Sequence, residues 1–239
     1  MSTPVIASLC LLLFAVAPAA HAQRSSYQVF MDNNRIMMDR INGDMAMRTM
    51  CEDWKRKGDK VPAGCAEYAS SSVAAPPSPT ATRFSPVTGD VSVKSLADSL
   101  GSTPEERGQI LQLAGAGKEL FAQKYKGKGW DNTLAGAMTF FIVATHIVST
   151  DAEPDAAAEE RLFASLNATL AGSDIARASN ADKTALYNTL LAGAGLPLVF
   201  YVDGKQSGND AQVKQAKTMA AGFARRFLGV EPQALAEML

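Results

Sequence analysis

The sequence predicts an all-α protein, a helical bundle of about five main helices preceded by a signal peptide, a methionine-rich helical segment and a disordered linker. Three observations carry that prediction. Aromatic residues make up only 7% of the 239 residues while alanine is abundant, a mix that favours helices packed through small side chains over a β-sandwich. Capping signals recur ahead of apolar runs, at Thr103-Pro-Glu-Glu106, Pro154-Asp155 and Ser179-Asn-Ala-Asp182. Behind those caps, apolar residues return every three or four positions, the period of a helix.

Residues 1–22 read as a secretory signal. The apolar run Val5 to Val16 breaks at Pro18 and ends in Ala20-His21-Ala22 before the polar Gln23-Arg24-Ser25, so cleavage is expected between Ala22 and Gln23. Cys10 sits inside the apolar run and not at its end, which argues against a lipid-modified cysteine. The expected address is periplasmic or secreted.

Residues 23–68 form the methionine-rich segment. Met31, Met38, Ile41 and Met45 share one helical face, and Met47, Met50 and Trp54 make a second stripe. Cys51 and Cys65 are the two cysteines left after cleavage, and an oxidising compartment makes a disulfide between them the default. Gly58, Pro62 and Gly64 let the intervening loop turn back. Residues 69–90, with Pro76, Pro77 and Pro79 among Ser, Ala and Thr, read as a linker with too few large apolar groups to offset ordering entropy.

The helical domain is expected over residues 91–239. Thr103 caps a helix with Pro104 at N1 and Glu106 at N3, reaching Tyr125 and stopping at Gly127 and Gly129. Asp131 is expected to cap the next, which is apolar almost all round from Leu134 to Val148 and therefore central. Pro154 and Asp155 open a helix with Leu162, Phe163, Leu166 and Leu170 inside. Ser179 caps another carrying Leu186, Leu190 and Leu191, and Pro197 is expected to kink it. The last long helix, about Asp210 to Leu228, should bury Val213, Ala216, Ala220, Phe223 and Phe227 while Lys214, Lys217, Arg225 and Arg226 face water. Leu-Ala-Gly-Ala-Gly occurs twice, at 113–117 and 191–195; it reads as a mark of close helix contact, with a duplicated hairpin as the alternative.

Ser95-Leu-Ala-Asp-Ser-Leu100, Thr103-Pro-Glu-Glu-Arg107, Phe140-Phe-Ile142, Glu153-Pro154, Ala178-Ser-Asn-Ala-Asp-Lys183, Leu186-Tyr187 and Leu228-Gly-Val-Glu-Pro232 together resemble a family of exported bacterial all-helical proteins classed as a domain of unknown function. The resemblance covers about residues 91–239. It implies the helical fold and export, and no activity or site residues.

Composition and motifs narrow the function mainly by exclusion. A formal net charge of −1 without a polybasic tract gives no reason to expect nucleic acid as a partner. Leu134 to Val148 is too short for a membrane span, which needs roughly 20 apolar residues, so no transmembrane segment is expected in the mature chain. Ala114-Gly-Ala-Gly-Lys118 lacks the upstream glycine and the following hydroxyl of a phosphate loop. No cofactor is implied and no catalytic residue stands out. After cleavage His146 is the single histidine, within the most apolar helix, with Asp151 and Glu153 the nearest acids in sequence. Met45, Met47 and Met50 have thioether spacing that can hold Cu(I), although methionines at helical spacing more often pack in a core or against a partner. Asn167-Ala-Thr169 is a glycosylation sequon placed mid-helix and is discounted. The leading expectation is a non-enzymatic exported protein that binds a protein or envelope component. The alternatives are a small-molecule or metal binder, through those methionines or a pocket near His146 and Tyr187, and an enzyme of unfamiliar type.

Overall fold

The structure is a computed structural model and describes Cys51, Cys65, residues 78–236, Met238 and Leu239. The signal peptide with its Ala22–Gln23 junction, the rest of the methionine-rich segment with Met45, Met47 and Met50, and the first part of the expected linker lie outside the described residues.

From residue 78 onward the described residues form seven α-helices: α1 (Ser92–Leu100), α2 (Pro104–Lys124), α3 (Leu134–Thr150), α4 (Ala156–Ala171), α5 (Asn180–Ser207), α6 (Asp210–Phe223) and α7 (Pro232–Ala236). A 3-10 turn precedes α5, and a π turn at Ala224–Leu228 closes α6. Five of these are long, and the all-α class stands.

Most starts obey the capping chemistry. Thr103 Oγ1 accepts from the Glu106 amide at 3.2 Å, while the Glu106 carboxylate accepts from the Thr103 amide at 3.1 Å, a reciprocal box that satisfies otherwise orphaned donors. Asp155 and Ser179 cap α4 and α5 without that reciprocity, accepting from the Ala157 and Asp182 amides. The cap of α3 differs from the expectation. Asn132 takes a left-handed φ of 54°, so the chain turns past Asp131 and Thr133 meets the helix instead, accepting from the Gly136 amide.

α3 is the central helix, buried without interruption from Leu134 to Thr145. α5 lies beside it and also packs on α2 and α6. Pro197 does not end α5, which continues unbroken to a left-handed Gly208. By length and composition α5 is apolar enough to cross a membrane, and most of its apolar stretch is buried against the other helices.

The duplicated pentapeptide marks a helix crossing. Gly117 of α2 and Gly195 of α5, the last residue of each copy, press backbone to backbone; a Cβ on Gly117 would sit 2.5 Å from Gly195 Cα. Ala114 and Ala194 flank the crossing and are buried. Gly115, one turn-face away, has nothing near it. The repeat therefore serves as two halves of one contact.

α6 ends earlier than expected, at Phe223, and passes into the π turn. Ala216, Ala220, Phe223 and Phe227 are buried as expected, but Gln212 replaces Val213 as a buried residue. Its amide donates to the Phe200 carbonyl at 3.0 Å and to Asp203 at 2.7 Å, which offsets the desolvation of a polar group.

The largest departure concerns residues 78–90. Composition placed them in a disordered linker, yet Thr82 and Phe84 are buried in the helical body. Fixed hydrogen-bond partners supplied by distant helices outweigh the local lack of apolar residues. We call residues 78–87 the strap.

Candidate functional site

The strap lies across the start of α3 and along one face of α5. Near its beginning, Asn167 of α4 donates from Nδ2 to the Ser78 carbonyl at 2.9 Å and accepts from Thr82 Oγ1 at 2.9 Å. The same Thr82 serves as a second cap of α3: its carbonyl accepts from the Leu134 amide and its hydroxyl from the Ala135 amide. Phe84 donates its amide to the Asn132 carbonyl at 3.0 Å, and its ring packs edge-on against Tyr187. Arg83 reaches outward and donates to the Gly129 carbonyl at 2.8 Å.

Further along, a polar ladder on α5 holds the chain. Asn180 accepts from the Ser85 amide at 3.4 Å, Thr184 accepts from the Val87 amide at 3.1 Å, and Asn188 donates to Asp90 at 2.9 Å. These residues stand at i, i+4 and i+8, one helical face. Two of the three bonds go to the main chain of the strap. The i, i+4, i+8 spacing of Asn, Thr and Asn was visible in the sequence, and so was Phe84 as an isolated aromatic among prolines. Nothing local in the sequence links the two.

Two charged clusters occupy other places. Lys124 bridges Glu153 at 2.8 Å and Glu159 at 2.9 Å, with Glu159 only 5% exposed. Burial works to lower the Lys124 value, but the two carboxylates outweigh it and hold it above its ordinary 10.5. Tyr125 lies buried beside Glu159, its hydroxyl without a hydrogen-bond partner among the described residues; burial, then the glutamate charge, pushes it upward. The adjacent Trp130 stacks on Phe163 and receives Lys128 over its face. Glu159 also gains from lying in the first turn of α4, near the positive end of the helix dipole.

The second cluster gathers around Asp151, the left-handed C-cap of α3 at φ 61°. Tyr201 donates to it at 2.6 Å and Lys217 at 3.1 Å, with Lys205 3.6 Å away. The hydrogen bond from Tyr201, then that from Lys217, holds Asp151 below its ordinary 3.8. Burial of Tyr201, then its bond to Asp151, raises that phenol to about 12. Lys217 was expected to face water and is instead half-buried on this aspartate.

The residues singled out from the sequence are scattered by this geometry. His146 is half-buried, and its Nδ1 has no hydrogen-bond partner among the described residues. Asp151 and Glu153 turn to the lysines just described. Tyr187 is buried at the opposite end of α3, accepting from the Asn132 amide, and burial raises it to about 12. Fourteen residues of helix separate that point from His146, roughly 20 Å, so the pocket imagined between them is not built. Among the described residues no group of histidine, cysteine and carboxylates could hold a metal ion. Asn167 is buried with both ends of its amide engaged, which leaves the sequon no acceptor at the surface. Cys51 and Cys65 form a disulfide with Cα atoms 5.7 Å apart, both cysteines buried.

Fold and site define an all-α body with a non-helical strap laid across it. Residues 1–236 match a family described as a family of unknown function, DUF6683. The chain belongs to that family, and the match extends beyond residues 91–239 to take in the methionine-rich segment and the strap. No curated protein and no solved structure matches the chain.

Proposed function

We propose that this is an exported, non-enzymatic protein that acts by binding a protein or envelope component. The observation that carries the reading is the α5 ladder. Asn180 and Thr184 are spent on the main chain of an extended segment, which is the chemistry of polypeptide recognition rather than of bond cleavage. The charged clusters support the same reading, because each acid in them is engaged by a lysine or a tyrosine that ties helices together. Export rests on residues 1–22, whose composition is that of a cleaved leader.

The test is crosslinking in intact cells followed by affinity recovery, using the whole chain and a deletion of residues 23–77 that keeps the strap. A discrete envelope partner, recovered in proportion to the chain, is the expected result. Recovery of the chain alone, or an uncleaved chain confined to the cytoplasm, would overturn the proposal. If only the deletion loses the partner, the methionine-rich segment carries the binding.

A further inference from the structure

We draw no further inference here: the strongest candidate, the buried Tyr125 phenol beside the Lys124–Glu153–Glu159 cluster where the end of α2 meets the start of α4, belongs to the charged site already described, its two carboxylates taken by Lys124 and no group among the described residues able to hold a metal ion there.

Discussion

Replacing Gly195 by alanine isolates the closest approach in the body. A Cβ at this position would overlap Gly117 Cα and lie 3.1 Å from Gly117 N. Ordinary carbon contacts need about 3.5–4.0 Å, so α2 and α5 must move apart by about 1 Å or more. The obstacle is backbone, which cannot rotate aside, and overpacking of that kind costs about 3 kcal/mol. Alanine returns about 1 kcal/mol through its better helix propensity, leaving a net loss of ~2 kcal/mol. Gly115, in the same pentapeptide and the same helix as Gly117, has open space around it. There alanine should gain ~0.5–1 kcal/mol. Urea unfolding followed by circular dichroism, at unchanged slope, measures both variants. The Gly117→Ala, Gly195→Ala double variant should lose less than the sum of the singles, because one methyl already parts the helices. If Gly195→Ala and Gly115→Ala agree within about 0.5 kcal/mol, the crossing is not a steric contact and the reasoning fails.

Further outcomes follow from the charged clusters and the disulfide. Glu159→Gln should cost about 1–2 kcal/mol, less than a fully buried pair because Lys124 keeps Glu153 and partial solvent contact. Since folding raises Lys124 above 10.5, the pair's contribution is complete below that value and fades as pH rises through the folded value. A thermal-stability profile of wild type should therefore fall more steeply in strong alkali than that of Glu159→Gln, and parallel profiles would contradict the pairing. Asp151 is shifted the other way: its contribution is present above 3.8 and disappears as pH drops through a lower folded value. Asp151→Asn, which tolerates the left-handed cap, should flatten that acid limb; an unchanged limb would mean that Tyr201 and Lys217 do not hold the charge. Thiol titration should find Cys51 and Cys65 unreactive until reduction, and reduction should remove ~3 kcal/mol of stability.

What was legible in the sequence was whatever is decided locally. Thr103, Asp155 and Ser179 announce their helices because a cap and its amide lie two or three residues apart. α3 was legible as central because apolar residues surround it on every side. Asp131 was the expected cap, and Thr133 took its place through the left-handed φ of Asn132, which composition does not reveal. The strap was read wrongly for the opposite reason to the caps. Thr82 finds Asn167 across 85 residues and Val87 finds Thr184 across 97, so its order is a property of the finished fold. Gln212 was passed over because a polar residue looks exposed until its carbonyl and carboxylate partners are known. The scattering of His146, Asp151 and Tyr187 was equally invisible, since their distances depend on which end of α3 each one meets.

The separation between the strap and its ladder also sets an order of events. Ser85 leaves the ribosome 95 residues before Asn180, its hydrogen-bond acceptor. At ordinary elongation rates of about 5–20 residues per second, that gap lasts roughly 5–20 s. Within it the start of α3 reaches Phe84 and Thr82 first, through Asn132, Leu134 and Ala135, and Asn167 follows; only the α5 ladder waits for the whole interval. The strap thus completes its contacts only when a helix made much later in the chain is in place.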